Sequence, residues 1–180
     1  MVDYLKAQKV IHWLMAIIIM LDLNVAQKFG SDMELWDRLE SRADHATAGL
    51  IVTFLFFLRL YLRYRYGAPA LPTSMPTWQV ISAKAGHYGL YLLMAMLIIT
   101  GILSANYTAE PIIVFGSLNL SSETENIRMF NLIRGMHEFA TNAIIVLILI
   151  HIFAALYHHF IIKDETTKNM SKFWTTKIKN

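Results

Sequence analysis

The chain alternates between long apolar runs and short polar connections. Four runs stand out, roughly residues 10–26, 45–62, 86–105 and 136–162. Each is long enough to cross a bilayer core of about 30 Å as a helix, tilted where the run exceeds that thickness. Between them lie three polar connections. The first contains Met33–Asp44, whose spacing predicts a short amphipathic helix on the membrane surface. The second, Gly67–Trp78, holds three of the four prolines and reads as an extended turn. The third, Asn106–Arg134, carries Pro111 and Gly116 and is expected to be irregular, with some helix near its end. The expected architecture is all-α: one four-helix transmembrane bundle over residues 1–180, without a second domain, an internal repeat or a low-complexity tract.

Composition agrees. Of 180 residues, 56% are hydrophobic and only 16% charged, more apolar than a soluble domain of this length. Lys6 and Lys9 precede the first run in the manner of a signal peptide. The segment after Leu23 nevertheless has no clear small-x-small cleavage site, so the run is expected to be retained as a span. Cysteine is absent, which excludes disulfides, iron–sulfur clusters and covalent c-type haem attachment.

Charge sets the orientation. With four spans both ends of the chain share one side. The first segment, the middle connection and the tail hold eleven basic residues: Lys6, Lys9, Arg59, Arg63, Arg65, Lys84, Lys163, Lys168, Lys172, Lys177 and Lys179. The opposite side holds five, at Lys28, Arg38, Arg42, Arg128 and Arg134. The positive-inside rule then places both termini in the cytoplasm.

Histidines carry the candidate chemistry. His137 and His151 lie fourteen positions apart on the fourth run, within about 40° on one helix face and about 21 Å apart along the axis. An imidazole within a span is costly unless it has a partner. Orientation decides which rings can meet. His12 opens span one near the cytoplasm; His45 and His137 open spans two and four near the outer face; His151 lies deeper, toward the cytoplasm. The depth-matched pairs are His45 with His137 outside and His12 with His151 inside. Bis-imidazole ligation in a helix bundle suits b-type haem, whereas zinc prefers four ligands. The reading is therefore two haem b groups, one near each leaflet, with the four histidines on iron. A lone interfacial histidine is ordinarily a snorkelling or hydrogen-bonded residue; joint agreement in depth and spacing sets these four apart.

Other residues fit around them. Arg59 is fourteen after His45 and a candidate for inner haem propionates, while Arg42 and Arg134, each three before an outer-site histidine, are candidates for the outer ones. The same arginines also mark where electrons would enter. Arginines at span ends also serve topology and headgroup contact. Gly49 and Gly101 would let a porphyrin approach backbone, or helices pack closely. His87 and His158 sit at inner depth, where a proton-releasing group near a quinone is useful; Trp78 and Lys84 share that side and would complete a headgroup pocket. An interfacial histidine pair without a ligand fits those positions equally. His159 points elsewhere.

The segments Val10-Ile11-His12-Trp13, Asp44-His45-x3-Gly49, Arg59, Gly86-His87, Met136-His137-Glu138 and His151-x5-Tyr157-His158-His159-x3-Lys163-Asp164 together resemble the bacterial cytochrome b-561 family over nearly the whole chain. Within it the chain is most similar to the short, free-standing members typified by superoxide:ubiquinone oxidoreductase. The resemblance implies four spans in the bacterial inner membrane, two b haems on His12, His45, His137 and His151, superoxide oxidation at the outer face, and ubiquinone reduction near His87 and His158. From Asp22 to Asp44 and from Asn106 to Arg134 there are nine acidic residues against five basic ones, so steering of an anion such as superoxide would be weak. The alternative is an electron-carrier subunit linking a separate dehydrogenase or a periplasmic donor to the quinone pool. A cofactor-free transporter or proton relay using the intramembrane histidines is a further rival.

Overall fold

The computed structural model describes residues 3–26, 34–108, 110–122 and 126–172. Four long helices dominate: α1 (Lys6–Ala26), α2 (Leu35–Tyr66), α3 (Thr77–Tyr107) and α4 (Ile127–Tyr157). All four, α4 together with the turn that follows it, are long and apolar enough to span a membrane.

α2 differs from expectation at its start. The amphipathic stretch is no separate surface helix, since Leu35–Asp44 runs straight into the span as one 32-residue helix. No proline or glycine interrupts Leu35–Ala48, so nothing ends the hydrogen-bond ladder at the interface. At 1.5 Å per residue α2 is about 48 Å long and extends beyond the hydrocarbon core. It stops at Gly67, whose φ of 71° suits a residue without Cβ. The proline-rich connection follows, and α3 starts directly after Pro76. Between α3 and α4 the chain forms a two-residue-strand hairpin, β1 (Ile113–Val114) with β2 (Leu118–Asn119), turning through Phe115 and Gly116 at positive φ. Asn126 caps α4 by accepting from the Met129 amide at 3.1 Å.

The helices associate as two hairpins. α1 packs along α2, and α3 along α4, far more extensively than α2 meets α3. Ile11 and Met15 of α1 bury against Val52, Leu55 and Phe56 of α2, and Tyr91, Met94, Ala95 and Ile98 of α3 close over them. In the second hairpin a Cβ at Gly89 would meet Leu147 Cδ2 at 2.9 Å, so α3 and α4 touch through a missing side chain. Phe54, Leu92 and Phe139 are each more than two-thirds exposed, as lipid-facing positions are.

One end of the bundle is tied together by polar contacts. The buried Gln8 amide donates to Gly67 O at 3.0 Å and Leu62 O at 3.4 Å, joining the start of α1 to the end of α2. α4 ends in a π-helical turn (His158–Ile162), and Lys163 at φ 59° reverses the chain into α5 (Glu165–Ser171). α5 then folds back: Thr167 Oγ1 donates to Ala155 O, Trp13 Nε1 to Met170 O, and Lys9 Nζ to Lys172 O. Asp164 caps α5, accepting from the Thr166 amide at 2.9 Å.

Burial opposes ionisation of Asp164, but hydrogen bonds from Thr166 and His158 outweigh it and hold the carboxyl below its ordinary range. A carboxyl depressed on folding contributes stability above its unfolded pKa, about 3.9, and loses it as pH falls through the folded value. The α5 strap is therefore expected to stay docked through the physiological range and to release only under strong acid. Amide exchange over residues 165–171 as a function of pH checks this, and release near neutrality would contradict it.

Candidate functional site

Two imidazole pairs form at opposite depths of the bundle. His45 of α2 and His137 of α4 have ring centroids 6.0 Å apart with planes at 89°. His12 of α1 and His151 of α4 lie 6.3 Å apart at 80°. Each pair links one helical hairpin to the other. Among the described residues no three or more His, Cys, Asp or Glu side chains gather as a metal-ion site; the recurring unit is a pair of rings.

Two imidazoles on opposite sides of one iron, with metal–nitrogen bonds of about 2 Å, have centroids about 6 Å apart. Both pairs meet that spacing. Each ring plane would contain the nitrogen–metal–nitrogen axis, which leaves the angle between planes unrestricted. The residues present therefore fit a bis-histidine haem at each depth.

The rings of the His45–His137 pair are oriented through Nδ1. His45 Nδ1 lies 2.9 Å from Asp22 Oδ1 of α1. His137 Nδ1 lies 2.9 Å from Thr100 Oγ1 of α3, whose hydroxyl in turn donates to Met96 O at 2.7 Å. With its own hydrogen given to Met96, Thr100 accepts from the ring, which leaves Nε2 of His137 as the nitrogen available to a metal. A Cβ at Gly101 would stand 3.4 Å from His137 Cε1. Gly101 thus accommodates the His137 ring, whereas no atom lies within 4 Å of a Cβ at Gly49.

His151 has a second neighbour. The ring of His87, on α3, is 5.7 Å from it at 62°. Those two helices are already in close contact at Gly89 and Leu147, about one helical turn from the two histidines, which leaves little space for a macrocycle between them. His12 belongs to the other hairpin.

The cationic candidates divide. Arg42 pairs with Glu110 of the third connection, and Arg134 Nε donates to Glu138 at 3.0 Å. Arg59 lies within electrostatic reach of both His12 and His151, beside a cleft shared with Tyr4, Gln8, Arg63, Tyr91 and Met170. His158 Nδ1 is 2.6 Å from Asp164 Oδ2, with both side chains largely buried. Trp78 and Lys84 are exposed on the helix that carries His87, and Lys84 precedes it by three residues.

The sequence gives no role to Asp22 or Thr100, and Asp164 enters there only as the last residue of a family motif. Asp22 reads there only as one more outer carboxylate and Thr100 as a mild polar break in an apolar run. An ionisable residue inside the first span was the available signal for Asp22.

A family model for prokaryotic cytochrome b561 matches residues 4–172. The chain belongs to the prokaryotic cytochrome b561 family. Cytochrome b561 homolog 1 of Escherichia coli (strain K12) is 34% identical over 129 residues, covering 72% of this chain and 73% of the relative. Cytochrome b561 homolog 2 of the same organism is 31% identical over 163 residues, 88% and 86% of the two chains. A probable superoxide oxidase, CybB, of Yersinia pestis is 26% identical over 163 residues, 89% and 90% of the two chains. As a cytochrome b561, the chain is a bacterial membrane protein whose helical bundle binds b-type haem and carries electrons across the membrane.

Proposed function

We propose that this cytochrome b561 holds two b haems and passes electrons from superoxide at the outer face of the bacterial inner membrane to ubiquinone at the inner end, with both termini in the cytoplasm. The observation that carries the proposal is the presence of two imidazole pairs, at the iron-spanning separation, at two depths. His45 and His137 would hold the outer haem, and His12 and His151 the inner one. The whole chain acts as one domain. When bound, the haems supply one-electron carriers on each side of the membrane.

The rest falls to the protein's own groups. Asp22 and Thr100 hold the outer rings in register. Arg59 faces the inner pair and is placed to bind propionates there. At the inner end His158, held by Asp164, and His87, with Trp78 and Lys84, form the quinone site. Reduction of one quinone consumes two superoxide anions and two protons and yields two dioxygen and one quinol. His158 sits where such a proton is needed, and Asp164 fixes its tautomer by accepting from Nδ1, which presents Nε2 to the quinone.

Purified protein given a soluble ubiquinone and a superoxide pulse should form quinol at a steady rate. No quinol, with haem reduction equally absent, would defeat the substrate assignment. His158→Ala should slow quinol formation about 10- to 100-fold at unchanged haem content; full turnover would remove His158 from the mechanism.

A second reading has support from the outer surface. Arg42 and Arg134 are each paired with a carboxylate, so neither offers an unopposed positive charge to an anion. A dihaem carrier fed by a basic periplasmic redox protein or a separate dehydrogenase accommodates that surface. Reduction by such a donor but not by superoxide would favour it.

A further inference from the structure

The two imidazole pairs differ in the charges nearest them. Arg134 is within electrostatic reach of His137, but its guanidinium is paired with Glu138 at 3.0 Å. At the outer pair a carboxylate meets a ring: Asp22 Oδ1 is 2.9 Å from Nδ1 of His45, with Asp22 16% and His45 30% exposed. At the inner pair no carboxylate hydrogen-bonds His12 or His151 among the described residues, and the nearby ion is the guanidinium of Arg59, within reach of both rings. Asp22 comes from α1 and His45 from α2, so the contact spans a helix–helix interface.

We infer that Asp22, acting through His45, and Arg59, beside His12 and His151, set the outer redox centre at a lower potential than the inner one and so direct electrons inward. The inference rests on the two-haem reading above.

The sign follows from charge. A carboxylate accepting from a ligating imidazole makes that ring more basic and stabilises the oxidised, more positive iron, which lowers the potential. A guanidinium beside the inner pair stabilises the reduced, less positive iron, which raises it. Both charges act in a poorly polarisable interior, where their effect is much larger than in water. An electron entering at the outer pair then moves to the higher-potential centre at the quinone end, and the difference in potential offsets the opposition of an inside-negative membrane potential. Asp22 is a positioning and tuning residue; it acts only through His45.

Thr100 gives the internal comparison. It holds Nδ1 of His137 at the same 2.9 Å as Asp22 holds that of His45, but through a neutral hydroxyl. Charge, and not the hydrogen bond alone, distinguishes the two supports. Asp22→Asn keeps shape and acceptor while removing the charge, and Asp22→Glu keeps the charge.

The test is an optical redox titration of the purified, haem-loaded protein. The wild type should show two one-electron waves, with the outer one identified by its loss in His137→Ala. Asp22→Asn should raise the outer wave alone by at least a tenfold change in its reduction equilibrium, equivalent to about 59 mV for one electron, and Asp22→Glu should restore it. Arg59→Gln should lower the inner wave alone by a similar factor, which keeps the test available if Asp22→Asn does not load haem. Waves that stay in place, or that move together, would overturn the inference. A wild type with fewer than two waves would instead defeat the two-haem reading on which it rests.

Discussion

Replacing His137 by alanine should remove one haem and leave the other. The ring bridges α4 to His45 of α2 at a centroid separation of 6.0 Å. Without it a haem held there would lose one of its two imidazoles, in a site whose rings come from opposite hairpins. The other pair lies about 21 Å away along α4, so its loss of affinity should be small. Haem per chain is expected to fall from about two to about one, with the remaining absorption band keeping its position. His45→Ala should give the same result. Equal loss of both haems from each single variant would contradict the pairing.

Replacing His151 should have the larger functional effect. It serves the inner pair with His12 and also touches His87, at 6.3 and 5.7 Å between centroids. His151→Ala is expected to abolish the inner haem and, with it, quinone reduction, by at least about a hundredfold, while superoxide still bleaches the outer oxidised band. His87→Ala is the informative partner. Its ring is close to His151, yet α3 and α4 are pressed together nearby, where Leu147 would lie 2.9 Å from a Cβ on Gly89. His87→Ala should therefore keep two haems and alter only quinone turnover, read as a higher KM. Loss of the inner haem from His87→Ala, with retention in His12→Ala, would exchange the roles of those two residues.

Much of this arrangement was legible in the sequence because membrane helices are read by length and periodicity. Four apolar runs mark the four long helices, and fourteen-residue spacing puts His137 and His151 on one face. Depth alone then matched each ring to its partner, and the rings do meet. The start of α2 is not legible because polar periodicity marks an exposed face and does not mark a helix boundary; without proline or glycine the helix simply continues. The supports of the outer rings were not legible for a different reason. Asp22 reaches His45 across the α1–α2 contact and Thr100 reaches His137 across α3–α4, and neither rotation about the helix axis is encoded in a local pattern. The same holds for Arg42, whose pairing with Glu110 depends on where the irregular third connection lies. Local spacing predicts what one helix can present, while contacts between helices depend on packing.

Two iron porphyrins between the hairpins of one polypeptide underlie every step proposed for this protein. Haem quantified chemically against protein mass in the purified chain should give about two per chain, both non-covalently extractable because cysteine is absent. A ratio that saturates at one, or a colourless protein, would contradict that arrangement.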